Sequence, residues 1–147
     1  MKRYVYSILL IGLFMLTTAS RSHAEVYLGE VCWQGYNTTM GDVFILKSGV
    51  YAREGGRYIL NGKISSEGSI VGLFSGNGEI VGGNVMISFV SSGNTPPDKW
   101  GDVGNVVLNP STLNGTFFWV GTHYTEGDVE PLGNHFDEGT LTRIACP

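Results

Sequence analysis

The chain has 147 residues, with 13 acidic against 9 basic side chains, 22 glycines and two cysteines. That length suits one domain with a modest core. The net charge of −4 argues against nucleic acid or an anionic membrane surface as a partner.

Residues 1–24 carry Lys2 and Arg3, an apolar run from Tyr4 to Ala19, and a small-residue ending, Ser-His-Ala. This is the layout of a cleaved secretory signal peptide, which places the start of the mature protein at Glu25 and sends it to the periplasm or the outside. The run is short of the roughly 20 apolar residues a membrane-spanning helix needs, so stable membrane insertion is not expected. Without Lys2, Arg3 and Arg21 the balance becomes 6 Lys+Arg against 13 Asp+Glu, or −7. An exported chain sits where thiols oxidise, and Cys32 and Cys146 are therefore expected to form a disulfide.

Residues 25–147 are read as one β-domain. Glycine makes up 21 of these 123 residues, and no stretch of ten keeps a 3.6-residue apolar period. Short β-branched and aromatic runs recur instead, at 25–36, 42–47, 50–53, 57–65, 69–76, 79–92, 104–109, 112–124 and 139–145. Some merge, giving about eight strands. The segments KSG, EGG, SEG, GNG and NPS between them read as hairpin turns, and strands joined by tight turns are antiparallel neighbours.

Alternation assigns the two faces. Tyr58, Leu60, Gly62 and Ile64 share one side of their strand and Arg57, Asn61 and Lys63 the other. Val85, Ile87 and Phe89 oppose Asn84 and Ser88; Leu113, Gly115, Phe117, Trp119 and Gly121 form a third such face. Consecutive Cys32 and Trp33 point to opposite sides. A row of hairpins has two raw edges, which closure removes. A disulfide between the first and last strands needs their Cα atoms within about 7 Å. An antiparallel up-and-down barrel of about eight strands, joined at its first and last strands by Cys32–Cys146, meets both demands; a two-sheet sandwich is the alternative.

Three groups of residues are candidates for function. Trp33, Tyr58, Phe89, Phe117 and Trp119 are placed to line one barrel mouth and enclose a small apolar or aromatic ligand, or else to fill the core. Trp100, in the connection 91–104 with its Pro-Pro pair, is placed near a loop tip, either as a contact for a protein or glycan partner or tucked back over a barrel end as a plug. Residues 123–139 hold His123, Glu126, Asp128, Glu130, His135, Asp137 and Glu138, but in no metal-binding spacing, and read as a long solvated loop. No nucleophile, base and acid arrangement and no phosphate-cradling loop stands out, so neither a catalytic residue nor a cofactor or metal is assigned.

The segment RYILNGKISSEGS, with LNGTFFWVGTHY and an early strand bearing Trp33, resembles avidin and streptavidin type proteins and the wider calycin barrels. The resemblance implies an eight-stranded barrel with a ligand in its mouth. It does not carry biotin: Val31 and Gly35 stand where that family has a glycine and a ligand-contacting asparagine. NVMISFVSS, aligned with a tryptophan-rich strand, has no tryptophan. Only Trp119 and Phe89 match aromatic walls, and no counterpart is read for the family's final ligand-holding aspartate. The expectation is an exported, non-enzymatic binder of a small apolar or aromatic ligand. The alternative is a filled barrel that meets a protein partner through its loops, as a secreted inhibitor or assembly component.

Overall fold

The computed structural model describes residues 25–95, 98–125 and 133–147. Residues 1–24, Pro96 and Pro97, and residues 126–132 lie outside it, and with them Glu126, Asp128 and Glu130. Eight strands run β1 (Val26–Asn37), β2 (Val43–Arg53), β3 (Arg57–Ser66), β4 (Ser69–Val81), β5 (Asn84–Thr95), β6 (Asp98–Leu108), β7 (Gly115–Thr125) and β8 (Gly133–Ile144). Each pairs antiparallel with the next, and β8 returns to β1, so the sheet is a closed up-and-down barrel. The seam runs from Cys32 opposite Ile144 to Asn37 opposite Gly139. Just beyond β8, Cys146 is bonded to Cys32 across a Cα–Cα distance of 5.1 Å. Closing a loop of 114 residues restricts the unfolded chain by up to about 4–5 kcal/mol on the chain-entropy account.

The turns depart from expectation at two places. KSG does not interrupt β2, and GNG lies within β4. The chain reverses instead at Gly82 and Gly83, whose φ values of 58° and 82° give the doubly left-handed turn that matches strand twist in a two-residue hairpin. EGG, SEG and NPS do lie between strands.

The glycines within strands serve the interior. In the cross-strand register Gly35 faces Phe44, Gly62 faces Phe74, Gly76 faces Phe89, Gly93 faces Trp100, Gly104 faces Trp119 and Gly139 faces Phe117. At Gly35, Gly62, Gly93 and Gly139 the partner ring lies over the glycine: a Cβ on Gly35 would stand 2.2 Å from the Phe44 ring, and one on Gly93 would stand 2.3 Å from Trp100. A narrow barrel cannot hold eight walls of large side chains, so large and bare positions alternate around it.

One end is closed by its own side chains. Leu108 is 1% exposed and Trp33 3%, and they share a buried cluster with Leu60, Ile87, Val106, Phe117 and Leu141 among others. Leu113, from the β6–β7 turn, packs against it. The Trp33 indole N–H donates to the Leu113 carbonyl at 2.8 Å, which fixes the ring across this end. On the outside, a row of exposed apolar residues crosses four strands in register: Val90, Val103, Val120 and Phe136.

Adding a methyl at Gly104 brings Cβ within 2.3 Å of the Phe118 carbonyl and 2.8 Å of Phe89, whereas at Gly101 nothing lies nearer than 3.8 Å. Gly104→Ala is expected to cost about 1–3 kcal/mol in urea unfolding, as overpacking does, and Gly101→Ala to stay within about 0.5 kcal/mol of the parent. Equal effects at the two positions would contradict this reading of the interior.

Candidate functional site

Above the closed end the interior holds a cavity of about 250 Å³ that opens towards the β1–β2, β3–β4, β5–β6 and β7–β8 connections. That is somewhat below the roughly 300–1,000 Å³ of many ligand pockets, which suits a small occupant.

Its apolar side is an aromatic slab. Phe117 and Trp119 are two residues apart on one face of β7, and their rings stack with centroids 4.2 Å apart. Phe44 meets both edge-on or tilted at 5.5 Å, and Phe89 meets Trp119 at 6.2 Å and nearly at right angles. Such offset, tilted contacts are the favoured arrangements of aromatic rings. Trp119 can hold this place because Gly104 opposite it leaves the wall bare.

The polar side comes from one layer of the barrel. Ser91, Asp102, Gly121 and His135 lie in register across β5 to β8. Because Gly121 has no side chain, the Asp102 carboxylate lies over it: a Cβ there would stand 1.8 Å from Asp102 Oδ1. Asp102 thereby reaches His135 two strands away, with Nε2 3.2 Å from Oδ1, close enough for charge attraction but out of line for a hydrogen bond. His135 Nε2 is also 3.4 Å from Asp137 Oδ2. The Trp119 indole N–H donates to Asp137 Oδ2 at 2.9 Å, tying the aromatic slab to the polar layer. Ser91 Oγ donates a long bond, 3.4 Å, to Asp102 Oδ2. Asp137 and Asp102 have side chains only 2% and 8% exposed, and Oδ1 of each accepts no hydrogen bond. Nearer the mouth, His123 Nε2 stands 3.5 Å from Asp98.

Burial pushes the Asp102 carboxyl above its ordinary value of 3.8; the neighbouring His135 and the Ser91 hydroxyl pull it back, and the charge of Asp137 pushes it further up. Among the described residues no group of three or more His, Cys, Asp and Glu is arranged to hold a metal ion.

Of the residues singled out in the sequence, Trp33, Phe89, Phe117 and Trp119 lie on the cavity wall, with Trp33 as part of its floor. Tyr58 faces inward and packs on the core near the closed end, away from the cavity lining. Trp100 is not at a loop tip: it lies in β6, half-buried, over Gly72 and Gly93, and lines the cavity. The expected loop 91–104 is the paired ends of β5 and β6, in register out to Thr95 and Asp98. His123, His135, Asp137 and Glu138 likewise belong to strands rather than a solvated loop. Sequence reading missed Asn37, Ser91, Asp102, His123, His135 and Asp137 as lining residues, and so missed that β8 does supply an inward aspartate. A signal for the last two was present: His135, Asp137, Gly139 and Leu141 alternate with Phe136, Glu138 and Thr140.

The sequence matches no protein-family model and no curated protein. Among solved structures the chain is similar to EF1p2_mFAP2b bound to DFHBI, at 14% identity and a TM-score of 0.50, over 79% of this chain and 92% of that one. At that identity the likeness carries the barrel fold.

The raised position of Asp102 fixes the sign of a pH effect. Between the ordinary carboxylate range and its own higher value, the folded state binds more protons than the unfolded state, so this group lowers stability as pH rises through that window. Asp102→Asn is therefore expected to raise stability at neutral pH by about 0.5–2 kcal/mol, a gain that fades as pH falls towards about 4. Urea unfolding at several pH values checks this, and a variant less stable than the parent at neutral pH would contradict it.

Proposed function

We propose that the protein is an exported, non-enzymatic binding protein that holds a small, flat, apolar or aromatic ligand in the open end of the barrel. The observation that carries the reading is the division of the interior. One end is sealed by Trp33, Leu108 and their neighbours, while the other keeps a cavity with a stacked aromatic wall and a few buried polar groups. Ligand pockets commonly have this make-up, apolar walls for affinity with sparse polar groups for orientation. A similar barrel that holds DFHBI supports the use of such an interior for a small molecule. Kinship with the avidin and calycin barrels belongs to the same reading, supported by the closed eight-strand topology and by the segments around 57–69 and 113–124. Export to the periplasm or beyond is supported by the layout of residues 1–24, with cleavage before Glu25, and by the Cys32–Cys146 bond.

A second reading, as a protein-interaction module, draws support from the outer row Val90, Val103, Val120 and Phe136, since contiguous exposed apolar residues mark contact surfaces. Any such association would respond to Val120→Lys and not to changes inside the cavity.

The binding reading is tested by thermal-shift and calorimetric screening of aromatic compounds of one or two rings against the mature protein. Leu46 lines the cavity, half-buried, between Trp33 and Ile64 in the register. Leu46→Trp is expected to fold, to occupy the space and to weaken binding about ten-fold or more. Unchanged binding in the folded Leu46→Trp variant, or no binding by any compound, would overturn the reading.

A further inference from the structure

The cavity has a one-sided charge. Its lining includes Asp42, Asp102 and Asp137, with His123 and His135 as the basic groups, and among the described residues it contains no lysine or arginine. Carboxylates this deeply buried are ordinarily paired or fully hydrogen-bonded, because desolvating an ion costs far more than any single contact returns. Here they are not. Asp137 Oδ2 is used by the Trp119 indole and Asp102 Oδ2 by Ser91, and Oδ1 of both accepts no hydrogen bond, although both side chains are more than nine-tenths buried and both residues line the cavity. His135 does not make up the shortfall. Its single Nε2 stands between the two carboxyl groups at 3.2 and 3.4 Å, one nitrogen shared by both.

Maintaining this arrangement has a structural requirement of its own. Asp102 reaches the cluster only because Gly121 is bare, and Asp137 is held by an indole that is itself part of the aromatic wall. The carboxyl groups that line the cavity are therefore joined to its flat apolar wall through the Trp119–Asp137 bond. A molecule that lies on that surface presents one end to them.

We infer that the ligand of this cavity carries a protonated amine or amidine head, which docks on the Asp102 and Asp137 carboxyl groups while its flat body lies along Phe117, Trp119 and Phe89. The inference rests on the cavity-binding reading and adds the charge and orientation of the occupant. A compact cation with two or three N–H donors supplies what the carboxylates lack, and charge-assisted hydrogen bonds of this kind are about twice as strong as neutral ones. The aromatic faces add attraction for positive charge near the rings. A carboxylate or phosphate head would instead meet like charge.

Three probes with the same indole body separate the possibilities: tryptamine with a cationic head, tryptophol with a neutral one and indole-3-acetate with an anionic one. Calorimetry on the mature protein at neutral pH is expected to give tryptamine about ten-fold tighter binding than tryptophol, with indole-3-acetate weakest. Asp137→Asn is expected to remove most of the tryptamine preference and to leave tryptophol within about two-fold. Should that variant fail to fold, Asp102→Asn gives the same comparison. Equal binding of the three probes, or tightest binding of indole-3-acetate, overturns the charge assignment and leaves cavity binding standing. An Asp137→Asn variant that keeps the full tryptamine preference also overturns it. Binding by none of the three overturns this inference, and failure of the wider aromatic screen as well overturns the cavity reading beneath it.

Discussion

The structure depends on one packing constraint: in a barrel this narrow, each large interior ring needs a bare position opposite it. Six aromatic side chains of the interior face six glycines across the strand register. The pairing lets rings from opposite walls pass one another and lets the sheet curve tightly enough for β8 to meet β1. Closure in turn brings Cys146 to Cys32, so the disulfide fastens a seam that packing has already positioned.

The same constraint builds the candidate site. Where the residue facing glycine is aromatic, as with Phe44 over Gly35, the layer contributes a flat wall. Where it is acidic, as with Asp102 over Gly121, the layer contributes a buried charge that reaches across two strands. The polar layer lies next to the aromatic one, and the hydrogen bond from Trp119 to Asp137 joins them. A buried aspartate held above its ordinary value by desolvation weakens the fold at neutral pH, and such groups concentrate where proteins bind or react.

Much of the fold was legible in the sequence. Alternation along 57–65 and 112–124 gave the inward faces correctly, and hairpin-sized connections with two widely separated cysteines gave the closed antiparallel topology. What failed was the meaning of glycine. KSG and GNG look like turns by composition, but their glycines are wall positions, and Gly76 lies opposite Phe89; the reversal occurs at Gly82 and Gly83 instead. The site was half legible. The aromatic wall followed from periodicity, whereas the histidines and aspartates were read as a solvated loop because charged residues near prolines and glycines usually are. Trp100 was assigned to a loop because of the Pro-Pro pair in 91–104, whereas β5 and β6 stay in register out to Thr95 and Asp98 and carry Trp100 within the sheet.

Trp33 and Trp119 donate their indole N–H groups at opposite ends of the interior, so the most direct measurement is a ¹H–¹⁵N titration that follows these two resonances as tryptamine is added to labelled protein. Trp119 donates to Asp137 at the site, while Trp33 donates to the Leu113 carbonyl at the closed end. The account predicts a saturable shift of the Trp119 resonance, with Trp33 left nearly in place. A titration that moves Trp33 and leaves Trp119 untouched, or moves neither, would contradict it.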